Sequence, residues 1–218
     1  MRYNRCMSSS AKRFVFESIF FPSGQEVAFQ YRVELEENAA QHYTETLTFP
    51  EEISSFLITE QAKPFLQSIH LMLGVSYWKA QCAPKIVIEA GYGLTHDKAA
   101  FWNTMYTKGL GEFFYVNKID FRGLVQFPVA EKGMESIHLS TDTNKALVPF
   151  GGGKDSIVTA ERLKEEQKTF ELIAINPQPL QLHVAQKIGK PLIAITRKVD
   201  ATLLQQSKEK SVYTGHVP

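Results

Sequence analysis

The chain is poor in cysteine. Its 218 residues include two, Cys6 and Cys82, which lie far apart and belong to no Cys-x-x-Cys or Cys-x-x-His pattern. Zinc sites and disulfide frameworks need closely spaced or paired ligands, so neither can be built from these two residues. With no disulfide framework in the sequence, we expect the reducing cytoplasm as the location of the protein.

Long apolar runs and an excess of one charge are also absent. No stretch of about 18 apolar residues, the length of a membrane span, occurs in the chain. The basic and polar residues 1–13 lack the apolar segment of a secretory signal. The 24 basic and 23 acidic residues leave a net charge of +1. Nucleic-acid-binding proteins generally carry a basic face, so we expect neither a membrane nor a nucleic acid as a partner.

What the chain does contain is a glycine-rich segment, Gly151-Gly152-Gly153-Lys154-Asp155-Ser156. It follows an apolar run, residues 145–150, and precedes a stretch typical of a helix, residues 157–168. Glycine lets the backbone turn tightly and lets its amide groups approach a ligand closely. A helix N-terminus adds unpaired N–H groups and the positive end of the helix dipole. The pattern therefore predicts a site for a phosphate-bearing ligand.

Three phosphate-loop templates can be compared with this segment. A Walker-type loop would place its first glycine at Val148 and its hydroxyl at Asp155, and both positions fail. The dinucleotide fingerprint would need a third glycine at Ser156 and fails there. The segment resembles the pyrophosphate loop of the N-type ATP pyrophosphatases, Ser-Gly-Gly-x-Asp-Ser, with Gly151 in place of the opening serine. The alternative interpretation is a glycine-rich turn that binds no ligand.

The resemblance to the pyrophosphatase loop implies ATP as the ligand, cleaved between its α- and β-phosphates, with Mg²⁺ bound beside it. By that resemblance the backbone amides would hold the departing pyrophosphate, a lysine would neutralise developing charge, and a carboxylate would bind the metal. The residues implied for the nucleotide site are Gly151, Gly152, Gly153, Lys154, Asp155 and Ser156, with Lys154 and Asp155 also as catalytic candidates and Asp155 as the metal ligand.

Apolar strands alternate with helices in the second half of the chain. The sequence predicts helices at 157–168 and 180–188 between strands at 145–150, 170–176 and 191–196. Continuous apolar strands in this alternation are typical of a parallel sheet buried on both faces. We therefore expect a Rossmann-like α/β domain over residues 145–218, with the glycine loop at the end of its first strand, where such folds bind ligands.

For the first half, the sequence predicts an α+β domain over residues 13–144, after a loose terminus at residues 1–12. Thr95 is expected to cap its second helix, and Tyr77 and Trp78 are interpreted as core residues. The expected strands are 13–21, 26–35, 42–49 and 85–89, the expected helices run from 59 to about 75 and from 96 to about 108, and residues 121–144 form a connector.

Further candidates follow the second and third parallel strands and lie near the C-terminal residue. Asn176 either hydrogen-bonds the nucleoside or forms a turn. Arg197, Lys198 and Asp200 either contact an anionic ligand or lie in a solvated loop. His216 lies in Gly-His-Val-Pro, which resembles a Tyr-Val-Pro-Gly-Arg-Asn-type segment that enters the active site of related pyrophosphatases. Histidine is suited to acid and base catalysis, so His216 is a catalytic candidate.

The order of motifs resembles one branch of this superfamily. Residues 73–80, Leu-Gly-Val-Ser-Tyr-Trp-Lys-Ala, and 83–86, Ala-Pro-Lys-Ile, precede the strand and loop at 148–158. This order, from about residue 13 to the end, resembles the UDP-N-acetylmuramoyl-L-alanyl-L-glutamate epimerases. The resemblance implies conversion of the terminal L-glutamate of UDP-MurNAc-L-Ala-L-Glu to D-glutamate in peptidoglycan precursor synthesis. A nucleotide domain of this type normally needs more strands than residues 145–218 supply, so we expect a chain cut inside that domain.

Two other kinds of function stay open at this point. The loop is also compatible with another adenylating enzyme of the superfamily, either an amide ligase or a tRNA-modifying enzyme, and with an inactive nucleotide-binding module. The balanced charge argues against tRNA. The absence of a Cys-x-x-Cys pair argues against the sulfur-transferring versions.

Overall fold

One mixed sheet of seven strands runs through both halves of the protein in the computed structural model, which describes residues 11–131, 133 and 144–209. The order across the sheet is β4-β1-β2-β3-β7-β6-β5. The strands are β1 (Ala11–Ser23), β2 (Glu26–Leu35), β3 (Ala40–Thr48), β4 (Lys85–Ile88), β5 (Lys145–Pro149), β6 (Thr169–Ile175) and β7 (Leu192–Lys198).

Seven α-helices and two short 3₁₀ turns accompany these strands in the described ranges. Within those ranges no helix is long and apolar enough to cross a membrane. The helices are α1 (Ser54–Leu57), α2 (Ala62–Lys79), α3 (His96–Thr107), α4 (Gly111–Asn117), α5 (Lys154–Glu165), α6 (Pro179–Ile188) and α7 (Ala201–Glu209), and the turns are Glu36–Asn38 and Lys108–Leu110.

Alternating side chains fix the first half of the sheet. In β2, Phe29, Tyr31 and Val33 are fully buried, whereas the residues between them are partly exposed. This alternation places one face of β2 in the core, as the two-residue period of a strand requires. Helix α2 covers that face, and the ring of its Tyr77 stacks on Tyr31 with 4.7 Å between the ring centroids. Aromatic contacts therefore hold α2 against the sheet.

The second half is a parallel unit in which β5 pairs with β6 and β6 with β7. Helices α5 and α6 cover one face, where Ala160 and Ala185 pack with Val148 and Leu172 in a separate core cluster. We refer to the edge of the sheet at which β5, β6 and β7 end as the carboxyl edge. The glycine loop follows β5 at this edge, as the alternation of strands and helices predicts.

The opposite face of this parallel unit is only partly covered by the described residues. Leu147 on β5 and Ile175 on β6 are each 56% exposed on that face. Within the described residues these strands are therefore covered on one face, and burial of both faces stays a prediction. Periodicity could not reveal this, because a continuous apolar strand has the same pattern whether one face or two are covered.

The two halves are joined where β3 pairs antiparallel with β7. The paired residues are Thr46 with Lys198, Leu47 with Arg197 and Thr48 with Thr196. On the side of the sheet that α2 covers, Arg197 Nε donates to the carboxylate of Glu45, and the two side chains are 7% and 0% exposed. Just beyond β7, Asp200 Oδ2 accepts a hydrogen bond of 2.9 Å from Thr44 N. The sheet is therefore continuous across residue 144, where the sequence predicts a domain boundary.

The sequence patterns predicted most of the helices and strands, but several of these elements begin or end at other residues than expected. The expected cap at Thr95 is confirmed, since its side chain accepts a bond from Lys98 N. Helix α5 begins at Lys154 rather than at residue 157, and α2 begins at Ala62 rather than Thr59. Helix α4 was not expected, because Gly109 and Gly111 suggest a helix end, yet the chain turns there and starts a new helix.

His70, on α2, gives the fold a sensitivity to acid. The imidazole is fully buried, its Nε2 lies 3.0 Å from Gln30 O, and its Nδ1 lies 3.1 Å from Tyr92 Oη. Nε2–H can donate to the carbonyl while Nδ1 accepts from the hydroxyl, so the neutral form satisfies both contacts. Burial lowers the pKa of His70 to about 4, although the bond to Gln30 opposes the shift. Because the unfolded chain then binds more protons below about pH 6.5, stability is lost as the pH falls from about 6.5 to about 4.

We expect a His70→Gln variant to lack this part of the acid sensitivity. Between about pH 7 and about pH 4.5, the unmodified protein should lose about 2 kcal/mol more unfolding free energy than the variant. Urea denaturation at the two pH values measures the difference. His183→Gln is the matched control for the substitution itself, because His183 is exposed on α6. Equal pH slopes for the His70→Gln variant and the unmodified protein would contradict the buried neutral imidazole.

Candidate functional site

The glycine loop is a turn held between β5 and α5. Phe150 N donates a 2.8 Å hydrogen bond to Ile173 O, which ties the start of the loop to β6. Gly152 has a φ of +70°, a left-handed conformation that side chains other than glycine adopt at a cost. Gly153 is the extended N-cap residue of α5, with φ of −85° and ψ of 174°. The loop therefore turns the chain from a strand directly into a helix N-terminus.

Space above the loop is open at two of its three glycines. A Cβ atom built on Gly151 or on Gly153 meets no atom within 4 Å, and both residues are exposed. Position 151, where the pyrophosphate loop usually has serine, would accept a side chain without a clash. At Gly152 a Cβ would lie 3.0 Å from Gln181 Cγ, so this position is closed by a neighbouring helix. The backbone at 151 and 153 is thus accessible to a ligand from solvent.

The first turn of α5, which follows the loop directly, carries polar groups. Its N-cap residue, Gly153, has no side chain to cap the helix, and among the described residues the first-turn N–H groups are left to solvent or to a ligand. Ser156 Oγ donates a 3.0 Å bond to Gly153 O. Lys154 and Asp155 are exposed, and neither side chain has an ion-pair partner among the residues that the structure describes. The arrangement provides backbone donors, one cation and one carboxylate at a single helix start.

At the glycine loop, the described residues offer a divalent metal one carboxylate, that of Asp155. In the described part of the chain no group of three histidine, cysteine, aspartate or glutamate side chains could hold a metal ion. Asp155 alone is available at the loop. Mg²⁺ is commonly bound by one or two carboxylates together with phosphate oxygens and water, so a single aspartate beside a phosphate site fits Mg²⁺ with a nucleotide.

Asn176 lies at the carboxyl edge, one residue beyond β6, in a left-handed conformation with φ of 47°. Its side-chain Nδ2 donates to Arg197 O and its Oδ1 accepts from Arg197 N, both at 2.8 Å. The carboxamide thus acts as an additional rung between β6 and β7 and holds the ends of the two strands together. In the structure, the Asn176 side chain therefore connects β6 to β7. A contact between Asn176 and a nucleoside stays a prediction.

The polar residues after β7 form the joint between the halves of the sheet. The side chain of Arg197 is buried against Glu45, and Asp200 N donates to Tyr77 Oη at 3.2 Å. Neither residue belongs to a solvated loop, which was one of the two sequence interpretations. Lys198, between them, is exposed. His216 lies outside the described residues, so its catalytic role stays a prediction.

One residue of the loop environment was missed by sequence reasoning. Gln181, on α6, contacts Gly152 and donates from Nε2 to Phe150 O at 3.3 Å. Its Oε1 accepts from Gln178 N at 2.5 Å, which forms a capping box with Gln178 at the N-cap. The spacing of the two glutamines and the intervening Pro179 are a helix-start signal that could have identified the cap. Nothing in the sequence indicates the contact with the loop.

The conformation of the loop leads to a prediction about Gly152. We expect Gly152→Ala to lower the free energy of unfolding by about 1–2 kcal/mol. A left-handed backbone conformation is less favourable for alanine than for glycine, and the alanine Cβ would crowd Gln181. Gly151→Ala is the matched control, since position 151 is open and lacks a positive φ, and it should change stability by less than about 0.5 kcal/mol. Urea denaturation measures both. Equal costs for the two variants would contradict the loop geometry.

A scan against family models matches the chain over residues 6–218 to the family described as the MurL N-terminal domain. No solved structure matches the chain significantly. The matched range includes the glycine loop and all described elements. The family assignment therefore rests on nearly the whole sequence rather than on the loop motif.

Three curated proteins are similar, each called UDP-N-acetyl-alpha-D-muramoyl-L-alanyl-L-glutamate epimerase. The protein of Xanthomonas oryzae pv. oryzae (strain MAFF 311018) is 34% identical over 153 residues, 70% of this chain and 34% of its own length. The Salinispora tropica protein is 30% identical over 210 residues, 94% of this chain and 45% of its own. The Micromonospora sp. protein is 30% identical over 182 residues, 82% and 40% of the two lengths. The chain thus spans between a third and a half of these relatives.

Proposed function

The chain belongs to the MurL N-terminal domain family, and from that premise we propose that it is part of an ATP- and Mg²⁺-dependent epimerase. The proposed substrate is UDP-MurNAc-L-Ala-L-Glu, whose terminal L-glutamate becomes D-glutamate during peptidoglycan precursor synthesis. The observation that carries the proposal is that the epimerase similarity extends over 94% of this chain in one relative, a range that includes the glycine loop. We further propose that the protein acts in the cytoplasm, where nucleotide-linked precursors and ATP are available.

The proposal assigns ATP to the loop because the loop offers what a departing pyrophosphate needs. Backbone amides at Gly151 and Gly153 are accessible, and the N-terminus of α5 is not capped by a side chain. Lys154 adds a positive charge where negative charge would develop on the leaving group. Asp155 would hold Mg²⁺ together with phosphate oxygens. Ser156 would add a hydroxyl donor if it turned from Gly153 O toward the ligand.

Activation of the glutamate explains why an epimerase would need such a site. The α-hydrogen of a carboxylate is hard to remove, because the product would carry two negative charges on adjacent atoms. In the proposed step, a carboxylate oxygen forms a bond to the α-phosphorus of ATP and the bond to the bridging oxygen breaks, so pyrophosphate leaves. The resulting acyl group makes the neighbouring C–H far more acidic. One proton then leaves from one face, another returns from the other, and water releases AMP and the free carboxylate.

In these reaction steps, the residues of the glycine loop have the clearest role. The first-turn amides and Lys154 would stabilise the leaving pyrophosphate, and Asn176 would keep the ends of β6 and β7 together beside the nucleoside. His216 is proposed as an acid or base for the proton transfers. All of these residues lie along the carboxyl edge or follow it in the sequence.

The proposed function is tested by running the reaction in D₂O with the intact protein, ATP, Mg²⁺ and UDP-MurNAc-L-Ala-L-Glu. We expect D-glutamate in the hydrolysed product, with one solvent deuterium at its Cα, and formation of AMP. Heat-inactivated protein and omission of ATP are the controls. AMP formation with L-glutamate that stays undeuterated would reject epimerisation and favour another adenylating reaction. If the complete reaction forms no AMP, the result would favour a nucleotide-binding module.

A further inference from the structure

We propose that Gln181 is a positioning residue that sets the conformation of the glycine loop and couples it to the turn between β6 and α6. The inference rests on the proposed function in one respect, since it takes the loop as the phosphate site. The contacts themselves do not depend on that function. Gln181 is the third residue of α6, on a different element from the loop and 29 positions after Gly152 in the sequence.

The carboxamide of Gln181 uses both of its ends. Oε1 accepts from Gln178 N at 2.5 Å, and Nε2 donates to Phe150 O at 3.3 Å. The orientation of the amide group follows from its partners, because a backbone N–H requires an oxygen and a backbone carbonyl requires an N–H. A side chain that satisfies a helix start and a loop carbonyl at once cannot shift without losing one of them.

The aliphatic part of Gln181 supports the loop sterically. Its Cγ, Cα and Cβ atoms would lie 3.0, 3.5 and 3.7 Å from a Cβ atom at Gly152. The side chain therefore packs directly beneath the residue whose φ is +70°. This packing and the bond to Phe150 O act on adjacent parts of one short turn. Together they hold the turn in the conformation that exposes the amides of Gly151 and Gly153.

The same residue also connects the loop to the nucleoside side of the site. Gln178, which the Gln181 carboxamide caps, follows Asn176 by two residues, and Asn176 is fixed to Arg197 by two hydrogen bonds. The Phe150 amide is in turn bonded to Ile173 O on β6. The loop and the end of β6 are thus linked through both the strand and α6. A phosphate group bound at the loop and a nucleoside bound beyond β6 would meet a single preorganised frame.

Gln181→Glu tests the role with the smallest change of shape. Glutamate keeps the packing against Gly152 and an oxygen that can accept from Gln178 N, but it replaces the donor to Phe150 O by a second oxygen. Gln186→Glu is the matched control, because it makes the same substitution at an exposed position of the same helix. Gln181→Met removes both polar contacts while keeping the length of the side chain.

The first readout is the loop itself in the ligand-free protein. In Gln181→Glu we expect shifted ¹H–¹⁵N resonances at residues 150–153. Amide hydrogen exchange at Phe150, whose N–H is bonded to Ile173 O, should be faster by about tenfold, since one net hydrogen bond that holds the turn is lost. Gln181→Met should shift the same resonances, and Gln186→Glu should leave them in place. Unchanged loop resonances and exchange rates in Gln181→Glu would overturn the proposal, whatever the protein binds.

The second readout is binding of inorganic pyrophosphate and of ATP, followed by steady-state kinetics of the intact protein. We expect Gln181→Met, which adds no negative charge beside the phosphate site, to weaken both ligands and to raise KM for ATP about tenfold, with kcat changed by less than about threefold. The Gln186→Glu control should stay within about twofold of the unmodified protein. Loop resonances that move while ATP affinity is unchanged would also overturn the positioning role. If the unmodified protein binds neither ligand, the proposed function fails, and the loop resonances still decide whether Gln181 sets the loop.

Discussion

Replacing Arg197 by methionine is expected to lower the free energy of unfolding by about 3–5 kcal/mol, the typical cost of leaving one member of a buried ion pair alone. Glu45 is fully buried, and in the variant its carboxylate would lose the guanidinium that compensates its charge. The loss would fall at the junction of β3 and β7, which is three residue pairs long. Urea denaturation of the unmodified protein and the variant measures it.

Comparison of Arg197→Met with a double variant separates the ion pair from the packing around it. Glu45→Leu combined with Arg197→Met removes both charges, so it should be less destabilising than the Arg197→Met change alone. Arg13→Met is the matched control on the same sheet, because Arg13 contacts Glu34 across neighbouring strands with the two side chains 45% and 20% exposed. That exposed pair should contribute less than about 1 kcal/mol. Equal losses at Arg13 and Arg197 would contradict the buried joint.

The joint has a consequence for the site as well as for the fold. The backbone of Arg197 is held by the carboxamide of Asn176, and its side chain is held by Glu45 in the first half of the chain. The end of β7 is therefore fixed from both sides. We expect Arg197→Met to weaken ATP binding also in the fraction of protein that stays folded, because the carboxyl edge would lose one of its anchors.

Replacing Asp155 by asparagine is expected to lower ATP-dependent turnover by on the order of 100-fold or more at a fixed Mg²⁺ concentration. Asparagine has nearly the same size and keeps one oxygen, but it lacks the negative charge that attracts Mg²⁺. Affinity for ATP without metal should change by only a few fold, since the backbone donors of the loop are unaffected. Steady-state kinetics across a Mg²⁺ titration measures the change, and a higher Mg²⁺ requirement should accompany it.

Asp97→Asn is the matched control for this substitution. Asp97 and Asp155 are each the second residue of a 12-residue helix, and both are exposed. Both substitutions remove the same favourable interaction with a helix dipole, which amounts to about 0.3–1 kcal/mol. Asp97→Asn should therefore reproduce any effect on stability and none on turnover. Similar turnover for Asp155→Asn and Asp97→Asn would contradict a metal-binding role for Asp155.

The parallel unit and its loop could be predicted because their signals are local. Glycine, lysine, aspartate and serine lie within six consecutive positions of the loop, and the flanking strands and helices each have their own apolar pattern. The shift of the start of α5 to Lys154 is a boundary error of three residues, of the kind that patterns leave. Family resemblance, read from the loop and the segments around it, was confirmed by the match over residues 6–218.

The continuity of the sheet could not be predicted, because it depends on partners far apart in the sequence. Thr46 pairs with Lys198, and Glu45 with Arg197, across 152 residues in each case. An arginine after a strand gives no local sign that it will be buried. Helix α7 was missed for a related reason, since Leu203 is its only fully buried side chain among those described, and a single apolar contact produces no helical period.

The contact of Gln181 with the loop also could not be predicted from the sequence. Its capping role follows from the spacing to Gln178, whereas its packing under Gly152 follows from the way α6 packs with the parallel strands. Residues that position a phosphate loop from a neighbouring helix have no motif of their own. They become visible only once the strand order is known.

Exchange of labelled pyrophosphate into ATP tests the central claim most directly, namely that the segment Gly151–Ser156 holds the pyrophosphate released when a carboxylate is adenylated. With the intact protein and Mg²⁺, we predict exchange that requires UDP-MurNAc-L-Ala-L-Glu, is lost in Asp155→Asn and persists in Asp97→Asn. Exchange that proceeds equally well in Asp155→Asn, or no exchange with this substrate in the unmodified protein, would contradict the account.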